Sequence, residues 1–184
     1  MSESPDAPAL LRDILDQPAS LAEVVEHQFG AGRRDLEQAA GAIRAAAGPV
    51  VVSGMGGSLS PCLGLFYHLC SHGQPAVVIE TAELLHYFEG LTPRVVVLVS
   101  RSGDTVEVAR VIPRLKERGT TIVGVTNEPG GLLAREAHHL VLLHSRRDEA
   151  VAIQTYTGTL ATLLLLGAAA TREPLELWRR DLDS

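Results

Sequence analysis

Five short stretches of the chain are nearly unbroken runs of branched aliphatic residues. They are "PVVVS" (49–53), "AVVIE" (76–80), "RVVVLVS" (94–100), "TIVGVT" (121–126) and "HHLVLLH" (138–144). A strand with one wet face alternates apolar and polar residues. Runs without that alternation mark strands covered on both faces, which is the pattern of a parallel sheet. Segments of helical period lie between them, near 58–72, 82–89, 104–118 and 130–137. The last follows Pro129, a residue suited to a first helical turn. This alternation predicts an α/β fold. Its centre is a five-stranded parallel sheet in the flavodoxin-like order 2-1-3-4-5, sandwiched by helices.

The flanks extend the pattern. Two or three helices are expected before the sheet, near 7–16, 20–28 and 30–47. A long apolar C-terminal helix is expected over about 150–170. The chain therefore divides into a mobile N-terminus (1–9), an N-terminal helical segment (10–48), a ligand-binding α/β domain (49–171) and a C-terminal helical tail (172–184). The tail starts its helix at Pro174 and ends without a glycine cap. It reads either as a frayed last helix or as a chain cut before a second domain.

Ala150 to Thr171 carries no charge, which raises the question of a membrane. Its strictly apolar part, Leu163 to Ala170, is too short to span a bilayer. The segment is expected to be buried, in part by a second subunit or a partner domain. The N-terminus "MSESPDAPAL" has neither a basic nor an apolar signal region, so a cytoplasmic protein is expected. Composition removes another class. The net charge is −6, and aromatic residues make up only 4% of the chain. Both argue against a nucleic-acid partner.

In an open parallel sheet, ligands sit beyond the carboxyl ends of the strands, where the strand order reverses. Here that crevice lies between the first and third strands. "SGMGGSLSP" (53–61) follows the first and "SRSGDT" (100–105) follows the third. Both loops carry glycine and hydroxyl residues and both precede helices. Helix N-termini offer unpaired N–H groups, glycine admits close approach, and hydroxyls donate to an anion without adding charge. The pair predicts a pocket for a phosphate ester. The competing ligand is a dinucleotide, since "GMGGSL" begins like a G-x-G-x-x-G turn and Glu80 stands near a ribose-binding position. Leu59 replaces its third glycine, and the second loop is then left unexplained. A third loop, "SRRDEAVAIQTYTGT" (145–159), gathers acidic and hydroxyl residues at the same end of the sheet.

Other polar clusters are weaker. His68 and His72 share one helical face at i, i+4, with Cys70 on another. Two histidines are too few for a metal site, so no metal and no cofactor are expected. His138 and His139 begin a strand and face opposite sides.

The three loops together resemble the sugar isomerase (SIS) domain family, from about residue 10 to residue 170. "SRSGDT" is similar to that family's S-x-S-G-[ED]-T phosphate motif, and "SGMGGS" to its first glycine–serine loop. "NEPGGLLAREAHHLVLL" and "AELLHY" also resemble family segments. "LLRDILDQP" (10–18) and "AVAIQTYTGTL" (150–160) are similar to one branch. That branch is the isomerase half of glutamine–fructose-6-phosphate aminotransferase and related double-SIS phosphosugar isomerases and deglycases. The resemblance implies that Gly56, Gly57 and Ser58 contact the sugar or phosphate. It implies that Ser100, Arg101, Ser102, Gly103 and Thr105 hold the phosphate, and that Ala150, Val151 and Ala152 line the sugar.

The same resemblance implies the N-terminal half of an enzyme acting on a hexose or hexosamine 6-phosphate, its main acid–base residues lying outside this chain. Gln154 stands where the branch has lysine. A self-sufficient single-domain isomerase and a non-catalytic sugar-phosphate sensor are the alternatives. Aldose–ketose chemistry needs a base near C1 and C2. The candidates are Glu83, His86, Asp148 and Glu149, each with a structural role open to it as well.

Overall fold

The computed structural model describes residues 8–88 and 90–182. Residues 1–7 of the expected mobile segment 1–9, residue 89 of the expected helix 82–89, and the last two residues of the tail lie outside the described residues, while Ala9 already opens the first helix.

The sheet forms as the apolar runs predict. Its strands are Val50–Gly54 (β1), Ala76–Val78 (β2), Val95–Val99 (β3), Thr121–Thr126 (β4) and His139–Leu142 (β5). They lie in the order β2-β1-β3-β4-β5, and every pair is parallel. All five residues of both β1 and β3 are buried, which is why neither alternates. The crevice predicted between the first and third strands therefore exists as a switch point.

Helices cover both faces: Cys62–Ser71 (α3), Thr81–His86 (α4), Val106–Glu117 (α5) and Leu132–Glu136 (α6). One layer packs Leu84, Leu85, Val108, Val111, Ile112 and Leu115 against Val96, Leu98 and Ile122. The other packs Leu36, Ile43, Leu65, Leu69, Leu163 and Leu166 against Val52, Val97 and Val123.

The flanks differ from expectation in three ways. First, the two predicted N-terminal helices 7–16 and 20–28 are one, Ala9–Phe29 (α1), running through Pro18. An interior proline forfeits one backbone bond and crowds the preceding turn. Pro18 is exposed, while Asp13 and Ser20 on either side are buried and hydrogen-bonded to another part of the chain. Tertiary anchoring on both sides of the proline overrides the local break. The second helix is Arg33–Arg44 (α2).

Second, the uncharged segment is not a C-terminal helix over 150–170. The helix is Gln154–Thr171 (α7), and the short Leu175–Leu182 (α8) follows it. Third, α7 needs no second chain to bury it. It packs on α1, α2 and α3, and Leu163, Leu165, Leu166 and Ala168 are fully enclosed. Tyr156 in the first turn of α7 is exposed, as is Val151 just before it, and other exposed apolar residues include Leu10, Leu11, Ile14 and Leu15 on α1. Among the described residues no helix is long and apolar enough to cross a membrane.

Candidate functional site

The "SRSGDT" loop turns off the end of β3 and is held from within. Ser100, buried, accepts the backbone N–H of Gly103 at 3.2 Å, and Ser102 Oγ accepts that of Asp104 at 3.4 Å. Gly103 has φ +69°, in the left-handed region. A Cβ there would stand 3.2 Å from Leu133 Cβ, so both conformation and space call for glycine. Thr105 is the N-cap of α5, its Oγ1 accepting from Val108 N at 3.4 Å. The loop is also stitched to the end of β4 and to the start of α6. Thr126 Oγ1 donates to Arg101 O at 3.0 Å, and Asp104 Oδ1 accepts from Leu132 N at 2.7 Å.

The first loop is less helical than expected. Gly56–Ser58 forms a single 3-10 turn, and α3 begins only at Cys62. Gly54 is there because Ser58 O would lie 2.6 Å from any Cβ. Glu80 Oε1 accepts the backbone N–H of Gly56 at 3.4 Å. The acid that the dinucleotide reading reserves for a ribose thus braces the glycine turn, and no helix N-terminus follows the turn directly. Both facts weigh against that reading.

Two clefts of about 150 Å³ each open here. One is lined by Met55, Ser58, Val99, Ser100, Arg101, Ser102, Thr105 and Val108, and so joins the two hydroxyl loops across the β1–β3 switch point. The other is lined by Arg101, Ser102, Asn127, Glu128, Arg147, Asp148 and Thr155. Arg101 and Ser102 border both. Of the residues named from sequence, Ser58, Ser100, Arg101, Ser102 and Thr105 meet in one place. Gly103 is buried behind them, and its N–H is engaged by Ser100 rather than presented outward. Gly56 and Gly57 are exposed on the loop tip. Ala150, Val151 and Ala152 are exposed and line neither cleft, where Thr155 and Asp148 stand in their place.

The four acid–base candidates fare differently. Glu83 and His86 are exposed on α4 and line neither cleft. Glu149 is exposed and paired with Arg12. Asp148 does reach the cleft, but its buried carboxylate is engaged. It accepts backbone N–H groups of Ile153 at 2.9 Å, Gln154 at 2.7 Å and Thr155 at 3.4 Å, and the Thr155 hydroxyl. That is a cap over the first turn of α7. Its Oδ2 is also 3.9 Å from Arg101 Nη1, on a side chain 55% exposed, so the cap borders the phosphate loop.

Sequence reading missed Asp13, Asn127, Glu128 and Arg147. Asn127 holds the third loop by a reciprocal pair, Nδ2 donating to Ser145 O at 3.0 Å and Oδ1 accepting Ser145 N at 2.9 Å. Glu128 is an exposed carboxylate at the cleft. Their signal was position, since "NE" directly follows β4 at the ligand end of the sheet. Asp13 is 2% exposed. Its carboxylate accepts Ala150 N at 3.0 Å, Glu149 N at 3.0 Å and Gln154 Nε2 at 3.2 Å. The Ala150 amide above all holds this carboxyl below the ordinary carboxylate range, against the opposing pull of burial.

The geometry defines a doubly wound α/β domain with a hydroxyl-lined crevice at its switch point. Residues 45–172 match the SIS domain, and the chain belongs to that family. It is 35% identical over 103 residues to an arabinose 5-phosphate isomerase KpsF of Escherichia coli, covering 55% of this chain and 32% of that protein. It is 32% identical over 169 residues to a glutamine–fructose-6-phosphate aminotransferase of Aeropyrum pernix, covering 89% of this chain and 27% of that one. The matched part thus spans 32% and 27% of the length of these two relatives. Its fold is shared with a protein of Escherichia coli CFT073 solved in complex with A5P. The TM-score is 0.73 at 22% identity, over 94% of this chain and 95% of that one.

Proposed function

We propose that the chain binds a hexose or hexosamine 6-phosphate, its phosphate held by Ser100, Ser102 and Thr105 and its sugar end toward Ser58. In this reading it is the phosphate-gripping, N-terminal half of a phosphosugar isomerase or aminotransferase-type protein. The observation that carries it is the meeting of hydroxyls from two loops in one cleft beside the start of α5. A phosphate there meets donors and a helix N-terminus without a crowd of cations to desolvate.

Two features support an incomplete site. Each cleft holds about 150 Å³, below the roughly 300 Å³ of a pocket that encloses a small molecule. The buried carboxylate at the cleft is committed to capping α7, which leaves Glu128 as the carboxylate at the rim. A second wall, from another SIS domain or another copy of the chain, would enclose the sugar and bring the missing base.

A second reading keeps one observation in its favour. The chain solved with A5P is matched over 95% of its length, so an SIS unit of this size is enough to be solved with a sugar phosphate. A self-sufficient isomerase would then form its site between copies.

Isothermal titration of the purified chain with fructose 6-phosphate, glucosamine 6-phosphate and arabinose 5-phosphate tests the proposal. Binding of a six-carbon ester, weakened by Ser102→Ala, is expected, without turnover by the chain alone. Turnover of any of the three would favour the second reading. Absence of binding to all three, or binding indifferent to Ser102→Ala, would overturn both.

A further inference from the structure

The far end of the molecule holds a cluster the crevice does not use. His68 lies in the last turn of α3 and His72 caps its end, one helical turn on, and β2 starts at Ala76. They therefore sit at the amino ends of the strands, opposite the phosphate loops. Glu173 arrives between them just after α7, whose C-cap Arg172 takes the left-handed conformation at φ 62°. The ligand atoms of the three residues lie within 4.8 Å of one another, the one such group among the described residues. The third ligand was invisible in sequence because Glu173 is a hundred positions away from the histidines.

Hydrogen bonding fixes which atoms face inward. His72 Nδ1 is 2.8 Å from His68 O. A carbonyl only accepts, so Nδ1 is the donor there, and a neutral ring held this way presents its Nε2 lone pair away from the helix. That Nε2 stands 2.6 Å from Glu173 Oε1. Two lone-pair atoms at this distance repel unless a cation stands between or beside them. Glu173 is oriented too, since Trp178 Nε1 donates to its other oxygen at 2.6 Å. His68 Nε2 is 3.8 Å from the same Oε1 and 3.1 Å from Thr171 Oγ1.

We propose that His68, His72 and Glu173 bind a divalent transition ion, Zn²⁺ being the best match, which clips α3 to the junction of α7 and α8. Two imidazoles and a carboxylate form an established ligand set for this ion, and water or the Thr171 hydroxyl completes four-coordination. Ligand atoms about 2.0–2.1 Å from a tetrahedral zinc stand roughly 3.3 Å apart. The two separations from Glu173, 2.6 Å and 3.8 Å, bracket that value, and the whole group spans no more than 4.8 Å, so closing on an ion takes movements of about 1–1.5 Å. The outer contacts are those that metal ligands use elsewhere: a ring N–H on a backbone carbonyl and a donor on the far carboxylate oxygen. Cys70 is not part of the set, and its sulfur instead lies 3.9 Å from Ala76 O.

Trp178 is the chain's only tryptophan, and its ring meets His68 edge-on at 5.5 Å. Its fluorescence is therefore a local reporter. Titration of the intact chain with Ni²⁺ should quench it saturably at one ion per chain. Zn²⁺ should compete for that site, withdraw from a chromogenic chelator at the same stoichiometry and raise the melting temperature. His72→Gln and Glu173→Gln, each checked for folding by circular dichroism, should weaken binding about tenfold or more, while Cys70→Ser leaves it unchanged. Glu173→Gln keeps an acceptor for Trp178, so it serves if the histidine variant fails to fold. The proposal is overturned by an absence of saturable binding, as a purely proton-bridged His72–Glu173 pair would give. Binding that survives both substitutions or is lost with Cys70→Ser overturns it as well.

Discussion

The carboxylate of Asp13 accepts the backbone N–H of Ala150 at 3.0 Å, across 137 positions of chain. Gln154 and Glu149 contribute to the same carboxylate, so the first helix holds the loop that leads into α7. These bonds favour the charged form and depress the folded pKa. The contribution is therefore complete above the ordinary value of 3.8 and is lost as pH falls through the lowered folded value. Asp13→Asn should be less stable than wild type at pH 7, and the gap should narrow as the buffer is acidified below pH 4. Urea denaturation midpoints across that range check it. A gap independent of pH would mean that packing, not charge, is what Asp13 supplies.

Asp148 gives a second, separable prediction. Four donors from residues 153–155 converge on it, including the Thr155 hydroxyl. Removing a helix cap costs roughly 1–2 kcal/mol. Asp148→Ala should lower unfolding free energy by about that amount, with Asp148→Asn intermediate because an amide oxygen still accepts. Equilibrium unfolding measures both. Hydrogen exchange should rise first in residues 153–157, where the cap acts.

Most of the fold was legible because its strands are buried on both faces. Val50–Val52 and Val95–Val99 have no polar alternation to confuse with anything else. The phosphate loop was legible for a related reason: glycine at a positive φ and a threonine cap are local demands written into "SRSGDT". What was not legible depended on partners distant in the chain. Pro18 reads as a break until Asp13 and Ser20 are seen anchored to residues 145–154. Asp148 reads as a base until its donors are counted. The histidine pair reads as incomplete until α7 ends beside it and delivers Glu173.

The two cysteines should differ sharply toward thiol reagents. Burial pushes the Cys62 thiol up to about 12, and its sulfur donates to Ser58 O at 3.1 Å. Alkylation needs the thiolate, so Cys62 should be inert near neutral pH. Cys70 is exposed. One thiol per native chain should react with iodoacetamide, and two after denaturation. Peptide mapping should place the first label on Cys70. Native labelling of Cys62 would mean that the "SGMGGS" turn opens, since that turn carries the carbonyl it holds.

Ser102 and Thr105 sit three residues apart on the same cleft and should separate binding from folding. Thr105 serves two roles, because its Oγ1 caps α5 while its side chain borders the cleft. Ser102 is exposed, and among the described residues its hydroxyl makes one hydrogen bond, a long one from Asp104 N at 3.4 Å. Hydrogen bonds to a charged group are worth about 1.5–3 kcal/mol, so losing either hydroxyl should weaken sugar-phosphate binding by roughly tenfold to a hundredfold. Only Thr105→Ala should also lose stability, by about 1 kcal/mol for the cap. Thr105→Ser should restore both properties. Calorimetric titration beside thermal unfolding of the three variants decides the matter. If Ser102→Ala unfolds early with its affinity intact, the loop is a structural turn and the hydroxyls do not hold the phosphate.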